Sequence, residues 1–142
     1  MPSSQNIDVL NRLLATLRCS LPEYLQGSRY WTHRGDERAE AIVRHLVEDQ
    51  RSYMARLAEL ILSRHGQLEP SIFPMEFTDL NLLSLDYLLE ELIEHQRANI
   101  EAIEACRDLL AADRQARELA EEVLGNARGH LENLESVIKA AV

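Results

Sequence analysis

The sequence predicts an all-α protein, an antiparallel four-helix bundle in which a long crossover joins the second and third helices. Three observations carry that expectation. Leu, Ala, Glu and Arg dominate a chain of 142 residues that holds only 5 Gly and 4 Pro, a balance that favours helix over strand. Apolar residues recur three and four apart through four long segments, the period of a helix with one buried face. Between the second and third segments lies the longest irregular stretch, Gln67 to Phe77, which carries Pro70 and Pro74. Residues 1–142 suffice for one hydrophobic core and read as a single domain.

The first helix is expected from about Asn6 to Tyr30, with Leu10, Leu13, Leu14, Leu17, Leu21 and Tyr24 on one face. Pro22 has no amide hydrogen, and Ser20-Leu21-Pro22-Glu23 can act as a capping box, so a kink or break is expected there. Thr32 to Gly35 make a short turn. Asp36 is the expected N-cap of the second helix, which runs to about His65 with Gly66 as its stop. Thr78 is the expected cap of a third helix to about Ala112, and Asp113 that of a fourth running almost to Val142. Short turns make helices one and two antiparallel neighbours, and three and four likewise. The second helix should be about 40 Å long, and eleven or twelve extended residues span roughly that distance. The connection is therefore expected to climb the whole bundle and to tuck Ile72, Phe73 and Phe77 against it.

Charge and composition exclude several functions. A formal net charge of −9 disfavours nucleic acid, whose phosphates need a positive face. Arg29, Arg34, Arg38 and Arg44 are interleaved with acids and read as solvated helix surface. No signal peptide is visible, and no apolar run approaches the roughly 20 residues of a membrane helix. Cys19 and Cys106 stand far apart in apolar helical contexts, which suits two buried thiols in a reducing compartment. The expected location is the cytoplasm.

Each inward stripe is apolar except near its centre. The second helix gives Val43, Leu46, Val47, Gln50, Tyr53, Met54, Leu57 and Ile61. The third gives Leu85, Leu89, Leu92, Gln96, Ile100, Ile103 and Leu110, and the fourth Leu119, Val123, Ala127, His130, Leu134 and Ile138. In a crossover bundle Gln50, Tyr53, Gln96 and His130 meet at one level, with Tyr24 reaching it from the first helix. These side chains are expected to satisfy one another in a buried polar network that fixes helix register.

Two stretches resemble a known family. Arg56-Leu57-Ala58-Glu59-Leu60-Ile61-Leu62-Ser63-Arg64-His65-Gly66 and Gly129-His130-Leu131-Glu132-Asn133-Leu134-Glu135 are similar to helix segments of the ferritin-like superfamily, in the style of bacterioferritins and DNA-protecting mini-ferritins. The resemblance implies a di-metal centre held by Glu and His. Most of its ligand positions carry other residues. One Glu-x-x-His falls on Gln50-Arg51-Ser52-Tyr53 and the other on Ala127-Arg128-Gly129-His130; the remaining two Glu positions fall near Leu17 and near Leu92 or Gln96. The mini-ferritin pattern keeps Glu59 but places Ala55 at an expected Asp, and its further His is not evident near Tyr30-Trp31. The basic N-terminal arm of DNA-binding relatives is missing, since no Lys or Arg precedes Arg12. Nothing after the fourth helix supplies the extra short helix of large cages.

The chemistry of two metal ions makes those replacements serious. Iron or manganese needs anionic oxygen, and one imidazole cannot neutralise two cations in a low-dielectric core. The expectation is a vestigial site in a non-catalytic structural, regulatory or interaction module, with no cofactor and an unidentified protein partner. The alternative is a divergent di-metal protein or ferroxidase that binds iron or manganese through His130 with Glu59, Glu94 and Glu122. It requires those acids to face inward at mid-height. His45 with Asp49, and Glu91 with His95, stand at the i,i+4 spacing that can grip one ion, although both pairs lie off the inward stripes. No P-loop or nucleophile triad is visible, and His33 and His65 lack nearby hydroxyls. Leu80, Leu83 and Tyr87 form an apolar outer strip suited to a homodimer.

Overall fold

The computed structural model describes residues 4–26, 36–80 and 83–141, with side chains through 138. Five α-helices and one 3-10 turn make up the described chain: α1 Ser4–Arg18, α2 Leu21–Gln26, α3 Glu37–Ser63, the 3-10 turn Met75–Leu80, α4 Leu85–Leu109 and α5 Arg114–Ala141. No strand occurs among the described residues. None of the helices is long and apolar enough to cross a membrane. The expected Tyr30 end of the first helix, the 32–35 turn, Arg29, Trp31, His33 and Arg34 lie outside the described residues.

The break expected at Pro22 divides the first helix into α1 and α2. Ser20 caps α2 and accepts from Glu23 N through its hydroxyl at 3.5 Å. Polar clasps fix the directions of the long helices. At one end Asp113, the N-cap of α5, accepts from Ala116 N at 3.3 Å and from Asn6 of α1 at 3.0 Å. The same carboxylate takes a two-pronged bond from Arg64, the C-cap of α3. At the other end Arg38, in the first turn of α3, donates to Ser136 late in α5 at 3.1 Å. α3 therefore runs antiparallel to α5, and α1 runs parallel to it. Around the bundle the order is α1, α3, α5, α4, which puts α3 and α4 on a diagonal.

That diagonal requires the crossover, and the crossover climbs the first helix. Asn11 donates to Gln67 O at 2.9 Å and accepts from Glu69 N at 3.0 Å. Arg18 donates to Glu69 O and Ser71 Oγ, and Tyr24 meets the rings of Phe73 and Phe77 at 5.3 and 5.5 Å. Phe77 is buried as expected, but Ile72 is 86% exposed and does not pack against the bundle. Thr78 does not cap α4. Its hydroxyl donates to Met75 O inside the 3-10 turn, whose period of three suits Phe77 and Leu80. Ser84 is the cap, accepting from Tyr87 N at 3.4 Å. Asp36 holds the N-cap position of α3 without a side-chain capping bond. α4 ends at Leu109, three residues short of the expected Ala112.

The predicted stripes supply most of the core, with Tyr24, Tyr53, Met54 and Ile138 only partly buried at its margins. It forms two apolar clusters, one around Leu10, Leu13, Leu57, Ile61, Ile103 and Leu110, the other around Leu21, Leu25, Leu46, Leu85, Leu92 and Leu134. Leu80 and Leu83 pack partly against the second cluster and leave Tyr87 half exposed, so the outer strip is narrower than expected. Cys106 is buried and Cys19 only partly so; both are free thiols.

Gly66 has a different role from the one expected. His65, not Gly66, takes the left-handed backbone at the end of α3, with φ 62°. His65 N reaches Leu62 O and Gly66 N reaches Ile61 O, both at 3.0 Å, a Schellman closure. Gly66 is needed for space, since a Cβ there would lie 2.8 Å from Ile7 Cγ2 and 3.0 Å from Ile61 Cγ2. A Cβ at Gly129, mid-way along α5, would meet nothing. Gly66→Ala should therefore cost about 1–3 kcal/mol through overpacking. Gly129→Ala should raise stability by about 0.5–1 kcal/mol through helix propensity. Urea denaturation of the two variants checks both signs.

Candidate functional site

Between the two apolar clusters lies a polar level that touches every helix-helix seam. Gln50, Tyr53, Gln96 and His130 line one small cavity there with Leu17, Asn99, Asn126 and Ala127. Its volume is about 10 Å³, near the lower bound for a single water. Tyr24, expected in this layer, is not among the lining residues; its ring packs instead on Phe73 and Phe77.

The polar residues are brought together but do not satisfy one another as expected. Gln50, Gln96 and His130 reach across seams to neighbouring helices, while the Tyr53 ring carries Arg56 of its own helix. Gln50 of α3 donates to Ser20 Oγ at 2.9 Å and Leu17 O at 3.4 Å. Asn99 of α4 donates to Thr16 O at 3.4 Å. Gln96 of α4 donates to Ala127 O on α5 at 3.0 Å. On the fourth seam His130 Nε2 of α5 lies 2.7 Å from Asp49 Oδ2 of α3, and Asn126 donates to the same oxygen at 2.8 Å.

The break in the first helix explains two of these clasps. A helix end leaves its last carbonyls without amide donors, and a buried one must find donors elsewhere. Asn99 supplies Thr16 O, and Gln50 supplies Leu17 O. The start of α2 has the complementary need. His95 Nε2 of α4 accepts from Leu21 N at 3.1 Å, and its ring packs 5.4 Å from Phe77. Of the i,i+4 pair Glu91 and His95, the histidine is engaged in this backbone contact.

Burial holds His95 neutral, pushing its pKa down from 6.5 to about 4. At Asp49 burial acts to raise the pKa, but hydrogen bonds from Asn126 and His130 and the nearby imidazoles outweigh it and hold the carboxyl below its ordinary value. His130 is buried, and its Nδ1 has no hydrogen-bond partner among the described residues; the same holds for Gln96 Oε1.

The carboxylates of the alternative metal set stand elsewhere. Glu122 pairs with Arg56 at 2.9 Å and Glu94 with Arg97 at 3.3 Å, both on the surface. Glu59 is exposed beside Arg56 and Glu122 in a shallow groove between α3 and α5. The acid that does reach His130 is Asp49, which precedes Gln50 in sequence and lies off the inward stripe.

A family model described as a ferritin-like domain matches residues 7–141. No curated protein and no solved structure matches the chain significantly.

Two measurements probe this level. Unfolded His95 takes up a proton below about pH 6.5, whereas the folded ring resists until about pH 4. The unfolded state therefore binds more protons in that window, and the His95 contribution is complete above pH 6.5 and lost as pH falls. Lowering pH from 7 to 5 should cost up to about 2 kcal/mol. His95→Gln, which can still accept from Leu21 N, should flatten that loss in urea denaturation at the two pH values. His130→Leu should keep the helical circular-dichroism spectrum but cost about 1–3 kcal/mol by leaving Asp49 underpartnered.

Proposed function

The chain belongs to the ferritin-like domain family, and we propose that within it the bundle is a non-catalytic module, structural, regulatory or interaction-based, without a working di-metal centre. One observation carries this reading: among the described residues no Asp or Glu lines the central cavity, whose polar walls are amides, a phenol and one imidazole. Two divalent ions would bring roughly four positive charges into a core that offers no carboxylate to neutralise them. This donor set does not suit such a centre.

The structural work of the polar residues supports the same reading. Gln50 and Asn99 are committed to carbonyls at the α1–α2 break, and Gln96 to a carbonyl of α5. The acids that a divergent oxidase would recruit are held on the surface by Arg56 and Arg97. A cytoplasmic module that acts through a protein partner or a second copy of itself, without nucleic acid, accords with the net charge of −9.

Anaerobic Fe(II) titration followed by oxygen tests the proposal. Iron oxidation should proceed no faster than in protein-free buffer, with no uptake of two ions per chain. Rapid oxidation at two irons per chain, abolished by His130→Ala, would restore an oxidase.

A further inference from the structure

At the α3–α5 seam, His45 and Asp49 stand one helical turn apart on α3 and face His130 from α5. Asp49 Oδ2 is the shared point: His130 Nε2 lies 2.7 Å from it and His45 Nε2 lies 3.9 Å from it. The two imidazole rings meet edge-on, 5.6 Å between centroids. We propose that His45, Asp49 and His130 form a mononuclear site for a divalent transition-metal ion, best suited to Zn²⁺, that staples α3 to α5.

Among the described residues no group of three or more His, Cys, Asp or Glu stands in metal-holding geometry. At this seam His130 and Asp49 are hydrogen-bonded and His45 stands farther off. Ligands about 2.0–2.1 Å from one tetrahedral ion are about 3.3 Å from each other. The His130–Asp49 separation is shorter than that because the metal-free pair shares a proton, and the His45–Asp49 separation is longer by a similar margin. Two imidazoles on one ion have centroids roughly 5 Å apart, close to the separation present. The adjustment falls on His45, whose side chain is 65% exposed and has space to turn towards the carboxylate. Its exposure also leaves an open side for water, the usual fourth ligand of a three-residue zinc site.

The surroundings suit the ion. Two imidazoles and one carboxylate form a borderline nitrogen-rich set that favours zinc over magnesium or calcium. Asn126 holds Asp49 in place, the kind of support that orients metal-ligating carboxylates. Coordination through His130 Nε2 uses the neutral tautomer that carries its single proton on buried Nδ1. Gln96 Oε1 is a buried acceptor without a partner, and both residues line the same cavity, which is of one-water size. This site uses none of the surface acids and leaves the central cavity without carboxylates, so it goes beyond the functional reading above.

Isothermal titration of the metal-free full chain with Zn²⁺ tests it, with Co²⁺ absorbance as a check on geometry. One ion per chain is expected, with a raised thermal midpoint in the zinc-loaded protein. His45→Ala, an exposed change that leaves the core untouched, should weaken binding at least tenfold, and so should Asp49→Asn. His65→Ala, at the far end of α3, should not. Absence of saturable zinc binding, or binding unchanged in both His45→Ala and Asp49→Asn, would overturn the site. Zinc stoichiometry tests this proposal and oxygen-dependent iron oxidation tests the previous one, so the two fail separately.

Discussion

The break between α1 and α2 is the constraint on which the rest of the bundle depends. Pro22 cannot continue a helix, and a helix that stops in the middle of a core exposes carbonyls on one side and amides on the other. Ser20 N reaches Leu17 O at 3.3 Å, and neighbouring helices supply further donors and acceptors. Gln50 and Asn99 answer the carbonyls of Leu17 and Thr16, Ser20 and His95 answer the amides of Glu23 and Leu21, and the polar level follows. Three helices thereby carry polar side chains at the height of the break. The apolar core divides into two clusters above and below it.

Those clasps also fix register. Leucine stripes alone allow one helix to slide past another by a turn at modest cost, whereas a buried amide finds its acceptor at one height only. All four seams carry such a contact: Gln50 to the first helix, Gln96 to α5, Asn99 back to the first helix, and Asp49 to His130. The ion pair of Arg64 with Asp113 secures one end, where the arginine keeps the aspartate ionised: the hydrogen bond from Arg64 outweighs the desolvation that acts against it. The closed circuit of contacts explains why Gln50, Gln96 and His130 can be buried in a core otherwise made of Leu, Ile, Val and Ala.

Much of this was legible in the sequence because helix burial has a period. Leu85, Leu89, Leu92, Gln96, Ile100, Ile103 and Leu110 are all buried, and the polar interruptions in the stripes met at one level because helix length converts directly to height. Partners were not legible in the same way. Asp49, Asn99 and Asn126 sit beside the stripes, at the seams, where periodicity assigns neither burial nor exposure. Backbone acceptors such as Ala127 O leave no mark on a sequence at all. Thr78 and Ser84 are both good caps, and the choice between them fell to Phe77, whose burial holds the preceding turn in a 3-10 form. His65 took the left-handed position because Gly66 was required one residue later, against Ile7.

The crossover has a further consequence for assembly. It makes the molecule two helical hairpins, α1–α3 and α4–α5, joined by a strap rather than by a tight turn. The contacts between the hairpins, His130 with Asp49 and Asn99 with Thr16, do not depend on both belonging to one chain. A strap released from α1 would let the hairpins of two chains exchange, with every clasp remade in trans. What favours the closed monomer is the high effective concentration that the strap imposes on its own hairpins. The contacts of Asn11 and Arg18 with residues 67–71 hold that strap against α1.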